Sequence, residues 1–411
     1  MTTGTATGRR TDSRIPWLNR TTVGISLASL LSDVSHELAT AVLPAFLLSL
    51  GAGPAALGWI EGSADGLSAL AKLLGGLASD RLSRRKPLAS VGYLVTGVGT
   101  AAIGLCASAW QVMVCRVVAW IGRGSRGPAR DVLMAEGADP AVHGRAFGLE
   151  RAADALGAVL GPLLAMGMLT EGVSARELMF ASLLPGFVAF LAIALLVVEA
   201  PHAPRRGRLE LLSELRATGT PFRRLLSGIL LFGCGDFSRT LLILYATRQL
   251  GGSLLSLRGA SAGVALYVLH NATSALAAFP IGSLADRIGH GRVVAVGYLF
   301  AAATTLAFAL APPTPGWLVV LFVCSGCSIA SEEVAEKSCA ASLLPPAARG
   351  AGMGLLAAAN GVGDMVSSAL VGTLWAAYPG YAAGFVVAAV LQLLGALRVA
   401  GTLRARAAAI P

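Results

Sequence analysis

Long apolar stretches separated by short polar or basic ones run through the whole chain. A helix that crosses the hydrocarbon core of a bilayer needs about 20 mainly apolar residues. Stretches of that kind recur at about 22–50, 55–79, 87–108, 110–136, 145–169, 175–198, 222–250, 258–280, 292–311, 315–341, 350–375 and 380–403. The pattern predicts an all-α membrane protein with twelve transmembrane helices.

Composition agrees with this pattern and excludes an ordinary soluble domain. Hydrophobic residues make up 55% of the 411 residues and charged residues 13%, and the mean hydropathy is +0.71. A typical soluble domain carries about 25% charged residues. The six cysteines all fall inside predicted spans, so we expect no disulfide bonds.

The net charge of +10 does not indicate a nucleic-acid partner, because the basic residues cluster in alternate connections between spans. They precede the first span and follow the second, sixth, eighth and twelfth: Arg9, Arg10, Arg14, Arg20, Arg81, Arg84, Arg85, Lys86, Arg205, Arg206, Arg208, Arg216, Arg223, Arg224, Arg287, Arg292, Arg404 and Arg406. Connections rich in Lys and Arg lie in the cytoplasm. We therefore expect a multi-pass protein of the cytoplasmic (inner) membrane, surrounded by the lipid bilayer, with both termini in the cytoplasm.

The fourth span is unusual because it carries a row of arginines. These are Arg116, Arg123, Arg126 and Arg130. At 100° per helical residue they fall within about 80° of one face. A charge at the bilayer centre costs about 2.5–3.5 kcal/mol, so this face is expected to border a protein interior or a water-filled cavity. In the alternative interpretation, the glycines of this stretch and Pro128 end the helix, and the basic residues form a cytoplasmic loop.

The two halves of the chain repeat at a nearly constant offset. The segment Gly76–Arg84, which contains Asp80-Arg81, recurs as Gly282–Arg292, which contains Asp286-Arg287, an offset of 206. The first span matches the seventh at an offset of 203. Two six-helix bundles in the same orientation form a parallel repeat. The expected organisation is a cytoplasmic segment 1–20, a bundle 21–199, a basic linker 200–221, a bundle 222–403 and a cytoplasmic tail 404–411.

On these motifs the sequence resembles the major facilitator superfamily over nearly its whole length. The loop from Gly76 to Lys86 is similar to the family's connection between helices 2 and 3, with Ser83 in place of a second glycine, whereas the second copy retains Gly289. In the fifth span, Gly148, Gly157, Gly161 and Pro162 resemble the motif of the family's antiporters, although Ala165 and Met166 replace its final glycines. The resemblance implies two six-helix bundles that rock about a central cavity.

A set of residues is expected to control that rocking from helix ends and helix contacts. It comprises Asp80, Arg81, Arg84, Asp286, Arg287, Arg292, Glu150, Arg151, Asp154, Gly157, Gly161 and Pro162. Carboxylates beside arginines at a helix end suit a latch between neighbouring helices. Glycines spaced four apart allow two helix backbones to approach closely.

The resemblance implies that helices 1, 4, 7 and 10 line the cavity. At the offset of 206, Arg126 matches Glu332 and Arg130 matches Glu336, so an arginine wall is expected to face a glutamate wall. The candidate cavity residues are Arg123, Arg126, Arg130, Asp236, Arg239, His270, Asn271, Glu332 and Glu336.

The first span supplies Asp33, His36 and Glu37 at mid-membrane on one helical face. Ionisable groups inside a membrane are functional candidates, and histidine titrates near neutral pH. These three residues are expected to carry a coupling proton. The alternative is a structural ion-pair network, for example between Asp33 and Arg239, which holds the two halves together.

These features favour a monomeric secondary transporter that exports a small organic solute in exchange for protons. Because cationic and anionic walls are both expected at the cavity, an amphoteric or anionic cargo is favoured over a simple lipophilic cation. No ATP-binding GxxxxGK[ST] loop and no catalytic constellation is visible, so we expect neither an enzyme nor a cofactor. One alternative is proton symport of an organic anion or zwitterion, with Arg126 and Arg130 as its clamp. Another is export of a divalent metal through Asp33, His36, Glu37, Asp236 and Cys234. The favoured interpretation, export of an organic solute, involves no metal site.

Overall fold

The computed structural model describes residues 18–138, 143–199, 219–250, 257–312, 314–344 and 349–407. Within these ranges the chain forms α1 (Arg20–Ser49), α2 (Pro54–Arg81), α3 (Lys86–Ala102), α4 (Ala109–Gly137), α5 (His143–Thr170), α6 (Ala175–Ala181), α7 (Leu183–Leu196), α8 (Thr220–Gly233), α9 (Arg239–Gln249), α10 (Leu257–Ile288), α11 (His290–Leu310), α12 (Pro315–Leu343), α13 (Arg349–Ala377) and α14 (Ala382–Ala407). A 3-10 turn, Ile103–Leu105, extends α3. Because α6 and α7 are contiguous and only a short turn separates α8 from α9, the described helices make twelve segments in the predicted order.

The architecture is that of an all-α membrane protein. Among the described residues, eight helical segments are long and apolar enough to cross a bilayer by length and composition. The other segments are α1, α2, α4 and the α8–α9 pair. They carry the helix break and about half of the charged residues that form the candidate site.

Local sequence explains several helix ends. The Asn19 side chain accepts hydrogen bonds from the backbone N–H groups of Thr21 and Thr22, and the Thr22 hydroxyl accepts one from the Asn19 backbone, so α1 begins with a capping box. Pro54 and Pro315 start α2 and α12, where a missing N–H costs nothing. Gly289, between α10 and α11, has a φ of +97°, which favours glycine over residues with a Cβ.

The internal repeat is visible in the helix bounds. The fourth segment, Ala109–Gly137, and the tenth, Pro315–Leu343, begin 206 residues apart and end 206 residues apart. The first segment, in contrast, is one continuous helix, whereas its repeat mate is interrupted between Gly233 and Arg239. The repeat therefore holds for the element order but not for every backbone detail.

The hydrophobic cores show how the two groups of six segments meet. At the basic end, where Arg84 and Arg292 lie, each group has its own core, one around Tyr93 and one around Tyr298. At the opposite end a single core includes buried residues of both groups, such as Leu43 of α1 and Tyr245 of α9. The groups also contact each other along two helix pairs, α2 with α13 and α5 with α10. Their hydrophobic cores are thus joined at the opposite end and separate at the basic end.

Candidate functional site

A cavity of about 340 Å³ lies between the two groups and extends into the basic half of the molecule. Its charged wall residues come from α2, α4, α12, α13 and the α8–α9 segment. The carboxylates are Asp65, Asp236, Glu332, Glu333, Glu336 and Asp364, and the cations are Lys72, Arg123, Arg239 and Lys337. Among the described residues the cavity therefore has more carboxylates than cations, and most of the carboxylates belong to the second group.

The arginine row lies on one unbroken helix, because α4 runs from Ala109 to Gly137 through all of its glycines and Pro128. The loop interpretation of this stretch is wrong. The glycines serve packing instead: a Cβ on Gly124 would lie 2.3 Å from the Ser68 carbonyl oxygen of α2, and one on Gly122 would lie 3.0 Å from the Gly92 carbonyl oxygen of α3. Close approach of α2 and α3 encloses the basic part of α4 in protein.

The four arginines nevertheless face different neighbours. Arg116 is buried and donates to both carboxylate oxygens of Glu61, from Nε at 2.9 Å and from Nη2 at 3.1 Å, and Nη2 also reaches the Thr40 hydroxyl at 3.0 Å. Arg123 is the one arginine of α4 among the cavity wall residues.

Arg126 and Arg130 are placed differently from the expectation. Arg126 donates to the Ser32 hydroxyl at 2.7 Å, and its guanidinium carbon lies 3.8 Å from the centre of the Tyr93 ring. Arg130 forms an ion pair of 2.8 Å with Glu150 of α5. Both side chains thus pack inside the first group and do not confront a glutamate wall across the cavity.

Glu332 and Glu336, the two predicted cavity glutamates of α12, do border the cavity. Glu332 lies beside Asp236 and Arg239. Glu336 is buried and accepts hydrogen bonds from the Tyr298 hydroxyl and, at 2.8 Å, from the Asn360 amide. Glu336 is therefore held at the cavity by side chains of α11 and α13.

The predicted cluster on the first span is assembled. His36 Nδ1 lies 3.3 Å from Asp33 and His36 Nε2 lies 3.2 Å from Glu37. The Arg123 guanidinium contacts His36 Nε2 and lies 3.7 Å from Asp33. Asp33 thus pairs with Arg123 rather than with Arg239. The cluster is buried behind Arg123, one residue away from the cavity.

Trp120 was not singled out by sequence reasoning, although it organises the first-group wall. Its indole N–H donates to Asp65 at 2.8 Å, and its ring lies 3.5 Å from the Arg116 guanidinium carbon and edge-on to His36 at 5.7 Å. A tryptophan in an apolar run gives no sequence signal of such a role. Asp364 was also missed, but its position one helical turn after Asn360 in an apolar span could have identified it.

Several polar contacts join the two groups. The Tyr267 hydroxyl donates to Glu37 at 2.7 Å, and the Ser238 hydroxyl donates to Glu61 at 3.1 Å. On the side of α5, Arg151 forms ion pairs of 2.8 Å with Glu333 and 2.9 Å with Asp154.

The eighth span places its two candidates away from the cavity wall. Asn271 donates to the Ala158 carbonyl oxygen of α5 at 2.7 Å, and His270 is buried and stacks on Tyr267 with ring centres 6.0 Å apart. Neither residue belongs to the described wall of the large cavity.

The break between α8 and α9 positions Asp236. The backbone groups that the break frees are bound by side chains: Ser367 donates to the Asp236 carbonyl oxygen at 2.7 Å, and Ser368 accepts from the Ser238 N–H at 2.9 Å. Interrupted helices in transporters place irregular backbone at the site of binding. Here the break turns the Asp236 side chain toward the cavity.

The residues expected to control rocking are only partly described. The side chains of Asp80, Arg81 and Asp286 lie outside the described residues, and Arg84, Arg287 and Arg292 are exposed at the basic end. Gly157 and Gly161 of α5 pack directly on α1, where a Cβ would lie 2.5 Å from the Leu30 carbonyl oxygen and 2.8 Å from the Val34 carbonyl oxygen, respectively. Pro162 lies within α5 without ending it.

The described residues contain no group of three or more His, Cys, Asp or Glu side chains arranged to hold a metal ion. Cys234 is thus not gathered with Asp33, His36 and Glu37 into a metal site. The described residues therefore offer no metal-binding site for the metal-export alternative.

Two groups of six helical segments around a charged central cavity that opens at one end define a secondary transporter of small solutes. A family model of the Major Facilitator Superfamily matches residues 25–269 and 225–409, and the chain belongs to this superfamily. An uncharacterized MFS-type transporter of Methanocaldococcus jannaschii is 26% identical over 375 residues, which cover 91% of this chain and 92% of that relative.

Solved structures share the fold. A bacterial homologue of the human lysosomal transporter Spinster, in an inward-facing and unoccupied conformation, matches with a TM-score of 0.75 and 17% identity over 95% of this chain and 98% of its own. The nucleoside transporter NupG matches with a TM-score of 0.75 and 13% identity over 94% of this chain and 100% of its own.

Proposed function

We propose that this protein exports a small organic solute that carries a positive charge, a cation or a zwitterion, across the cytoplasmic membrane in exchange for protons. The observation that carries the proposal is the excess of carboxylates over cations in the cavity. Uncompensated carboxylates that lie close together favour either bound protons or a bound cation. Competition between the two for one set of groups is the basis of antiport.

Asp236 and Glu332 are the groups where this competition is expected. They lie beside each other in the wall, and Arg239 is the neighbouring cation. A positively charged cargo binds between them when they are ionised and leaves when they are protonated.

The cluster of Asp33, His36 and Glu37 is proposed to couple this event to the first group. Because Arg123 contacts both the cluster and the cavity, a proton on His36 would repel the guanidinium and move it toward the carboxylates of the second group. The hydrogen bond from the Tyr267 hydroxyl to Glu37 is proposed to transmit this movement to α10.

The basic end is assigned to the cytoplasm by the positive-inside rule, with both termini there. The structure then represents an inward-facing state of a monomer. The Arg151–Glu333 ion pair already joins the bundles 21–199 and 222–403 in this state. The arginine-rich ends at residues 80–84 and 286–292 are proposed as the latch points that form when the cytoplasmic end closes.

The test is transport by purified protein in liposomes, with solutes first selected by thermal shift at two pH values. Antiport predicts that an outward-directed solute gradient drives protons inward and that Glu332→Gln abolishes the exchange without loss of folded protein. Ser342→Ala, at the exposed basic end of the same helix, is the matched control and is expected to retain exchange. Wild-type exchange in Glu332→Gln would remove Glu332 from the site.

Uptake by proton symport is the second candidate, because Arg123 and Arg239 in the wall also suit the carboxylate of a zwitterion. The same liposomes distinguish the two modes. Protons and solute moving in the same direction would establish symport and contradict export.

A further inference from the structure

A smaller chamber of about 40 Å³ adjoins the cavity inside the second group, between the α8–α9 segment, α11, α12 and α14. It shares Asp236, Phe237, Arg239 and Glu332 with the larger cavity, so the two spaces meet at the carboxylate pair. A space of this size holds only one to a few non-hydrogen atoms.

One buried side chain in this chamber has an unused acceptor. Gln392 of α14 is 3% exposed, and its Nε2 donates to the Gly235 carbonyl oxygen at 3.1 Å in the α8–α9 break. Its Oε1 has no hydrogen-bond partner. Buried polar atoms are nearly always paired, so this oxygen is arranged to accept from a group that enters the chamber.

Two hydroxyls of the chamber are also acceptors, while Arg239, the one cation of its described wall, lies beside Asp236 and Glu332. The Thr304 hydroxyl donates to the Phe300 carbonyl oxygen at 2.9 Å, and the Ser328 hydroxyl donates to the Cys324 carbonyl oxygen at 2.9 Å. Their protons are committed to their own helices, which leaves oxygen lone pairs for a ligand. The rings of Phe232 and Phe308 complete the wall, and aromatic faces attract cations.

We propose that this chamber binds the ammonium head of the cargo, a primary or secondary amine whose N–H groups bond to the Gln392 oxygen and the carboxylates. The body of the cargo remains in the larger cavity. This assignment rests on the proposed function and names its substrate class. A carboxylate head would be repelled by Asp236 and Glu332, which outnumber Arg239, the one cation of the described chamber wall. A quaternary ammonium has no N–H to donate.

The experiment measures binding to purified full-length protein by thermal shift with three probes of one skeleton. They are 2-phenylethylamine, its N,N,N-trimethyl analogue and phenylacetate. We expect the primary amine to raise the melting temperature in a saturable way and phenylacetate to have no effect. The trimethyl analogue is expected to bind about tenfold more weakly, since it cannot donate a hydrogen bond to the chamber acceptors.

Variants then locate the binding. Gln392→Leu is expected to weaken the amine about tenfold and to leave the trimethyl analogue unchanged, whereas Gln111→Leu, which makes the same change at the opposite end of the first group, is expected to leave both unchanged. Thr304→Val provides a second, smaller change in the chamber and is expected to weaken the amine alone.

Stabilisation by phenylacetate, stabilisation by none of the probes, or unchanged amine affinity in both chamber variants would overturn the assignment and leave the chamber to water. The transport assay separates this result from the proposed function. If the liposomes exchange the amine for protons while the chamber variants bind normally, export stands and the chamber assignment falls. If the variants bind weakly as expected but no exchange occurs, the chamber stands and antiport falls.

Discussion

At the scale of single residues, Arg116 is the most completely buried charge of the arginine row, with 1% of its surface exposed. Its carboxylate partner Glu61 also accepts from Ser238 of the other group. Removing one member of a buried pair leaves the other uncompensated, which typically costs about 3–5 kcal/mol, whereas replacing both with apolar residues is often neutral. This ion pair is therefore a test of whether the charges here are structural.

We predict that Arg116→Met lowers the melting temperature of the purified protein strongly and that the double variant Arg116→Met, Glu61→Leu recovers most of the loss. A double-mutant cycle on thermal unfolding measures the coupling. Additive losses in the double variant would contradict the assigned pairing.

His36 provides the second residue-scale prediction. His36→Gln keeps a hydrogen-bonding side chain of similar size but cannot gain a proton, so solute binding is expected to persist while accumulation driven by a pH gradient is lost. His290→Gln, at the basic end of α11, is the control and is expected to transport normally. Liposome flux with and without a pH gradient measures both. Gradient-driven accumulation at the wild-type level in His36→Gln would show that His36 carries no proton.

The contrast between Arg123 and Arg126 shows what the sequence can predict at this scale. Helical spacing correctly brings Asp33, His36 and Glu37 together, because residues three and four apart share a face. An arc of about 80° is wide enough to meet several neighbouring helices. Contacts with Tyr93 on α3 and Ser32 on α1 hold Arg126 away from the cavity. The direction in which an arginine side chain of α4 points depends on neighbouring helices, which the sequence of α4 alone does not specify.

At the scale of elements, the contact of α5 with α1 depends on glycine. We predict that Gly157→Ala lowers the melting temperature, because its Cβ would lie 2.5 Å from the Leu30 carbonyl oxygen and 2.8 Å from Asp33 Cβ. Overpacking of this kind typically costs about 1–3 kcal/mol.

Gly167→Ala on the same helix is the matched control. A Cβ there meets nothing within 4 Å, so the change is expected to be neutral or stabilising by up to about 1 kcal/mol through helix propensity. Equal thermal shifts for the two variants would show that α5 does not pack on α1 as described.

The order of the elements was predictable because the lengths of the apolar stretches and the offset of 206 can both be read directly from the sequence. The α8–α9 break was not predicted, because apolar residues continue on both sides of it and its repeat mate α1 is unbroken. The break depends on distant partners, namely Ser367, Ser368 and Gln392, which bind its free backbone groups.

At the scale of the whole molecule, the charges are divided between the two groups. The first contributes Arg123 and Lys72 to the cavity, and the second contributes most of the carboxylates. Since the cores are separate only at the basic end, closing that end would bring the two charged walls together and open the opposite end. Binding of cargo and of protons is proposed to control this closure of the basic end.

The most direct test of the account is the pair of distances between the groups at the two ends. Spin labels at Leu82 and Ile288 report on the basic end, and labels at Leu105 and Leu310 report on the opposite end; all four positions are exposed. Double electron–electron resonance measures both distances in liposomes, at two pH values and with a transported amine. The distance at the basic end should shorten as the distance at the opposite end lengthens. Distances that stay constant in every condition, or that change in the same direction, would contradict alternating access about this cavity.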